Sequence, residues 1–177
     1  MLAFLHRRRG ALDAVIFSGG EPTLQPSLPA AMHEVMTLGY RIGLHTAGLS
    51  PRLLKRALPF AHWVGMDIKA PFDGYDRITG VPGSGERARA SAKAVIDSGV
   101  NCEFRTTIHS AQLQPGDVDR LTEELAGMGA RHYALEEFRA DGCASSLPAK
   151  PPRGTCFDLA FRERLARRFE VVEIRER

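Results

Sequence analysis

Short apolar runs alternate with amphipathic stretches along the whole chain. Apolar or period-two runs bounded by turn residues predict strands over residues 14–17, 41–45, 63–68, 101–108, 132–135 and 169–174. Between them lie helical faces. Leu28, Ala31, Met32, Val35 and Met36 keep the i, i+3, i+4, i+7, i+8 spacing, and Gly39 stands where a left-handed C-terminal cap belongs. Ser50 and Pro51 supply a cap and a first-turn proline for a short helix bearing Leu53, Leu54, Ala57 and Leu58, which Pro59 stops. Ala88, Ala92, Val95 and Ile96 form the next face, closed by Gly99, and Val118, Leu121, Leu125 and Met128 form another, closed by Gly129. A last helix is expected over 157–168, where Arg167 and Arg168 suit the negative end of the helix dipole. Strand and helix signals in alternation predict an α/β protein with a parallel sheet, in one domain spanning residues 1–177. Residues 70–85 and 139–155 break the rhythm with Gly, Pro, Asp and Ser. Both follow strands, where α/β folds place binding loops, although 139–155 reads equally as a connector.

Composition adds exclusions. The 177 residues, 44% hydrophobic with mean hydropathy −0.20, describe an ordinary globular chain, and no run approaches the roughly 18 apolar residues of a membrane span. Near the start, apolar residues precede Arg7, Arg8 and Arg9, the reverse of a secretory signal, so a helix end and a cytoplasmic location are expected. A net charge of +3 with scattered arginines argues against a nucleic-acid surface. Cys102, Cys143 and Cys156 are too far apart for a disulfide framework or the usual zinc spacings, which leaves reduced structural thiols as the default.

Chemistry concentrates at the carboxyl ends of the strands. After Ala14 to Phe17 come Ser18, Gly19, Gly20, Glu21 and Pro22. An apolar four-residue run is the mark of a buried parallel strand, and paired glycines permit positive φ and close approach of a ligand to bare backbone. Pro22 holds Glu21 extended, which aims its carboxylate outward, a setting suited to an ammonium group. A plain strand-to-helix turn is the competing reading. The second strand ends in His45, Thr46, Ala47 and Gly48. In the third, alternation puts Asp67 and Lys69 on one face with Met66 and Ile68 on the other, and in the fourth it groups Arg105, Thr107 and His109. Glu136 and Glu137 follow in the fifth. Singly, Asp67 with Lys69 reads as a strand-end ion pair and His45 as a satisfied histidine. Together, acidic, basic and hydroxyl groups on one rim point to an ion network or a polar ligand.

Over nearly its whole length the chain resembles the radical S-adenosylmethionine (SAM) enzymes, in particular the activating proteins of anaerobic ribonucleoside-triphosphate reductase. The resemblance rests on Phe17 to Pro22, Leu44 to Gly48, Met66 to Pro71, Phe104 to His109, and Phe138 and Arg139 followed by Asp141, Gly142 and Cys143. It implies a partial (β/α)6 barrel of the TIM-like, radical SAM type lacking its first βα unit. It implies SAM as cofactor, with Gly19, Gly20 and Glu21 holding the methionyl amino group and Thr46 near the ribose and methionyl carboxylate. Asp67 and Lys69 would line the same cavity, and Arg105 and His109 would lie deeper or nearer the adenosine.

The same resemblance implies a [4Fe-4S] cluster held by C-x3-C-x2-C ahead of the glycine pair, and no cysteine occurs among the seventeen residues before Ser18. No metal ligand and no catalytic residue is therefore assigned here. A chain starting late in its gene, with Met1 inside a helix, accounts for this. A truncated product that binds SAM without reducing it, or an α/β enzyme with a convergent strand end, are the alternatives. By resemblance the activity is generation of a glycyl radical on the reductase through reductive cleavage of SAM, with a flavodoxin or ferredoxin as electron donor. The rivals are a radical SAM enzyme acting on a small molecule or another protein, and a non-catalytic SAM-binding or partner-binding remnant. A barrel opened at its first strand is expected to expose an apolar edge and to be less stable alone.

Overall fold

The computed structural model describes residues 2–109, 112–138 and 158–175. The chain groups into two compact units, Met1–Asp67 with Glu86–Cys102, and Ile68–Gly85 with Glu103–Arg177. Each is built from parallel strands and covering helices.

In the first unit, helix α1 (Leu2–Arg7) leads to strand β1 (Ala14–Phe17), helix α2 (Leu28–Thr37), strand β2 (Arg41–Thr46), helix α3 (Pro51–Ala57) and strand β3 (Trp63–Asp67). Strand β2 pairs in parallel with β1, Ile16 opposite Gly43, and with β3, His45 opposite Gly65. Helix α3 starts as its residues predict, since extended Ser50 accepts a hydrogen bond from the Leu53 amide at 3.4 Å and Pro51 opens the first turn. Gly39 takes φ +94° just beyond α2. Met32, Val35, Ile42, Leu44, Leu54, Val64 and Met66 fill the core. Strand β1 departs from expectation. It is parallel but not buried, with Ala14 and Ile16 exposed and Val15 and Phe17 half-buried. Among the described residues it pairs on one side only, so Ile16 is 56% exposed and its side chain lies against Gly43, with Cγ1 3.0 Å from where a Cβ would stand.

The second unit contains helix α4 (Tyr75–Thr79), the start of helix α5 (Ser84–Asp97), strand β4 (Asn101–Ile108) from Glu103 onward, helix α6 (Pro115–Gly127), strand β5 (His132–Glu137), helix α7 (Leu159–Arg168) and strand β6 (Val171–Arg175). The rest of α5 belongs to the first unit. Strand β5 pairs in parallel with β4, Phe104 facing Tyr133, and with β6, Glu136 facing Arg175. Phe104, Tyr133 and Leu135 are buried with Leu121, Leu125, Phe161 and Leu165, each large side chain worth about 1.5–3 kcal/mol of burial.

Element boundaries differ from expectation at several places: β2 runs on to Thr46, β3 stops at Asp67 and β5 runs on to Glu137. Phe169, expected in the last strand, instead ends α7 and stacks on Tyr133 at 5.0 Å, so β6 begins at Val171. The final helix begins at Leu159 because the Asp158 carboxylate accepts from the Phe161 amide at 2.7 Å. Residues 70–85, read as a loop, hold a 3-10 turn at Phe72–Gly74, the helix α4 and the start of α5. Residues 139–155 lie outside the described residues.

Candidate functional site

The site builds from the end of β1 in the first unit. Gly19 and Gly20 take φ +92° and +53°, values that favour glycine, and nothing lies within 4 Å of where a Cβ on either would stand. Conformation, not crowding, requires glycine there, and the two peptides border open space. Glu21 is extended at φ −124°, ψ 101°, as a residue before proline should be. Its carboxylate, however, does not simply point outward. Oε1 accepts from the Thr23 amide at 3.1 Å, the Thr23 hydroxyl at 2.5 Å and the Thr46 hydroxyl at 2.7 Å, while Oε2 accepts from the Ala47 amide at 2.7 Å. Short local donors outcompete solvent for a half-buried carboxylate, so Glu21 ties the end of β1 to the end of β2. Oε2 keeps acceptor capacity for one further donor.

Thr46 and Gly48 complete this corner. The buried Thr46 hydroxyl accepts from the Gly48 amide at 2.9 Å while donating to Glu21. Gly48 sits at φ +67° with its carbonyl accepting from the Ser91 hydroxyl of α5 at 2.7 Å. A Cβ on Gly48 would fall 2.3 Å from Met66 Cε and 2.9 Å from Ser91 Cβ. Ser91 was not foreseen. Its signal was present, because it occupies the i+3 position of the apolar stripe begun by Ala88 and is fully buried there. His45 packs against Trp63, ring centroids 5.2 Å apart. Asp67 closes β3 half-buried while Met66 is fully buried, as the alternation requires.

The other predicted residues lie in the second unit. Ile68 is clamped to β4, its amide donating to the Arg105 carbonyl at 2.7 Å and its carbonyl accepting from the Thr106 hydroxyl at 2.8 Å. The next residue, Lys69, donates its amide to the Tyr75 hydroxyl at 3.2 Å and leaves its side chain exposed. Arg105 is half-buried. His109 is 1% exposed and meets Phe138 edge-on at 4.9 Å, and its carbonyl accepts from the Gln112 and Leu113 amides. Asp76 fixes the segment after Lys69. It accepts from the Ser84 hydroxyl at 2.7 Å and from the amides of Gly83, Ser84 and Gly85, and these bonds, the Ser84 hydroxyl foremost, hold its carboxyl below the usual range.

The open, positive-φ glycine pair beside Glu21 and Thr46 fits a small ligand carrying an ammonium group. An iron-sulfur cluster does not fit the residues present. The sequence contains no C-x3-C-x2-C, and Cys102, which stands alone among the described residues at the start of β4, has a thiol pushed up by burial, away from the thiolate a cluster needs.

Residues 2–132 match a family model described as the radical SAM superfamily. A Methanocaldococcus jannaschii protein named as a glycyl-radical enzyme activating enzyme is 26% identical over 136 residues, covering 71% of this chain and 55% of that one. The 7-carboxy-7-deazaguanine synthase of Thermococcus kodakarensis is 35% identical over 68 residues, covering 38% of this chain and 27% of its own length. The chain thus spans about half or less of these curated relatives. A solved domain of pyruvate-formate lyase-activating enzyme from Bacteroides vulgatus aligns with TM-score 0.72 at 15% identity, covering 93% of this chain and 99% of that one. That likeness shows the fold, the parallel α/β arrangement that the alternation predicted.

Proposed function

The chain belongs to the radical SAM superfamily, and on that premise we propose that it provides the SAM-orienting strand ends of a glycyl-radical activating protein, with anaerobic ribonucleoside-triphosphate reductase as the partner. One observation carries this reading: the positive-φ pair Gly19 and Gly20 bordering open space, locked to β2 through the Glu21 carboxylate. Exposed peptide groups of Gly19 and Gly20, with the remaining acceptor capacity of Glu21 Oε2, suit the methionyl ammonium. Thr46 and the main chain at Ala47 and Gly48 are held by that same latch, at the position proposed for the ribose and carboxylate, and Asp67 ends the neighbouring strand.

Bound beside a reduced iron-sulfur cluster, SAM would supply one-electron hydrogen-abstraction chemistry directed at a glycine. The residues of this chain bind and orient the cofactor. The cluster's ligands are not among these 177 residues, so no step is assigned through it. A flavodoxin or ferredoxin is the proposed electron donor for the whole protein.

The match to the glycyl-radical enzyme activating enzyme supports the protein target. The higher identity of the shorter segment shared with the deazaguanine synthase favours a second reading, a radical SAM enzyme acting on a small molecule. Anaerobic incubation of the cluster-bearing protein that contains these residues with SAM, a reductant and the reductase separates them. A glycyl-radical doublet in the electron paramagnetic resonance spectrum of the reductase is expected. SAM cleavage without that doublet would replace the first reading by the second.

A further inference from the structure

A second constellation lies within the second unit, on the face of its sheet opposite the packed Phe104, Tyr133 and Leu135. Period-two alternation and the parallel register bring Glu103 of β4, His132 and Glu136 of β5, and Glu173 and Arg175 of β6 to that face. Glu103 is 4% exposed, a burial that a carboxylate tolerates only with partners. Arg175 is one of them. Its guanidinium donates to Glu103 Oε2 at 2.8 Å, Glu136 Oε1 at 2.7 Å and Glu173 Oε2 at 2.7 Å. Arg105 shares the face two residues along β4.

The imidazole of His132 stands between two of these carboxylates. His132 Nε2 lies 3.3 Å from Glu173 Oε1 and 3.4 Å from Glu103 Oε2. Nε2 carries at most one hydrogen, and both distances exceed the ordinary 2.7–3.2 Å of an N–H···O bond. One nitrogen held at nearly equal, overlong distances from two carboxylate oxygens is the arrangement of donors around a cation. For metal–ligand bonds of about 2.0–2.1 Å, a tetrahedron has edges of about 3.3–3.4 Å. The two measured separations match that edge, and the three donor atoms lie within 4.8 Å of one another. Glu173 already divides its oxygens as a ligand would. Oε2 takes Arg175 and Oε1 turns to His132. Arg175 holds Glu173 through the oxygen turned away from His132, and it holds Glu103 through the same Oε2 that faces His132, so that oxygen would serve the guanidinium and an ion together.

We propose that Glu103, His132 and Glu173 form a binding site for one divalent transition-metal ion of the zinc class, with a fourth position open to water, distinct from the glycine-pair corner. Such an ion would tie β4, β5 and β6 together. Imidazole with two carboxylates suits borderline ions and disfavours calcium and magnesium, which prefer all-oxygen shells.

The test is titration of the 177-residue chain with Zn²⁺ by calorimetry, paired with Co²⁺ absorption, for wild type, His132→Asn and Glu173→Gln. One Zn²⁺ per chain is expected, with Co²⁺ giving visible d–d bands and no near-ultraviolet thiolate band. Each variant should weaken binding by at least about tenfold. Glu173 is half-exposed, so its variant keeps the experiment decisive if His132→Asn does not fold. Absence of binding, binding unchanged in either folded variant, or a thiolate band that moves the ion to a cysteine overturns the proposal.

Discussion

Replacing Glu21 by Ala removes the latch between the ends of β1 and β2. Four hydrogen bonds are lost, from the Thr23 amide and hydroxyl, the Thr46 hydroxyl and the Ala47 amide, at 2.5–3.1 Å. Thr23 and Thr46 are each 3% exposed, so their hydroxyls cannot turn freely to water. A hydrogen bond to a charged group contributes about 1.5–3 kcal/mol and a neutral one about 1 kcal/mol. The Thr23 amide makes the longest of the four bonds, so three donors dominate; Glu21 is half-buried and water replaces part of each bond, which brings the expected loss to about 1 kcal/mol apiece, about 3 kcal/mol in all. With a urea slope of about 2 kcal/mol per molar, the midpoint should fall by about 1.5 M. Trp63, the single tryptophan, sits in β3 of the same unit and reports the transition by fluorescence. Glu21→Gln keeps one carbonyl oxygen for the Thr donors but sets an NH2 group against the Ala47 amide, so about half the loss is expected. A midpoint shift below about 0.5 M for Glu21→Ala would refute the latch.

Other outcomes follow from the same structure. Gly85→Ala places a Cβ 2.0 Å from the Phe72 carbonyl oxygen and 3.1 Å from Tyr75 Cβ, backbone that cannot swing away, so a loss above about 3 kcal/mol is expected in thermal unfolding, whereas a near-wild-type midpoint would show that this segment relocates. Asp119 receives Arg164 in a two-pronged pair at 3.1 and 3.0 Å and Arg168 at 3.0 Å. Burial alone would raise its carboxyl, but the Arg164 and Arg168 hydrogen bonds hold it below the usual range. A depressed carboxylate contributes stability that is present above its unfolded value and lost as pH falls through its folded value, so acid should loosen the contact of α6 with α7 below about pH 4. Asp119→Asn should flatten that part of the urea midpoint's pH dependence, and an unchanged slope would count against the pair. Anaerobic iron-sulfur reconstitution of the 177-residue chain should yield no stoichiometric cluster by iron and sulfide analysis, and one full cluster per chain would contradict the ligand assignment.

Much of the architecture was legible because one signal, apolar periodicity, carries it. Each predicted strand lies in a parallel pair, and Gly39, Gly99 and Gly129 take positive φ where caps were expected. What periodicity cannot show is which side of a short strand is covered. Ala14 to Phe17 reads as buried by composition, yet pairing on one side leaves Ile16 exposed. Phe169 carries the same apolar signal as a strand residue, and only the stacking partner Tyr133 assigns it to the end of α7. At the site, the extended backbone of Glu21 follows from Pro22. The direction of its carboxylate depends on Thr46 and Ala47, twenty-five and twenty-six residues away, which no local rule supplies. The Glu103, His132, Glu173 and Arg175 cluster is not legible locally, because its assembly requires the β4, β5 and β6 register.

The central claim is that the glycine-pair corner holds SAM, and equilibrium dialysis of radiolabelled SAM against the wild-type chain and Gly20→Asn tests it most directly. Asparagine tolerates φ near +53°, and no atom lies within 4 Å of the added Cβ, so the variant should fold normally while its side chain occupies the open space. Saturable binding of one SAM per wild-type chain, weakened at least about tenfold in Gly20→Asn with an unchanged urea midpoint, is the predicted result. No saturable binding to the wild type, or equal binding to both, would contradict it.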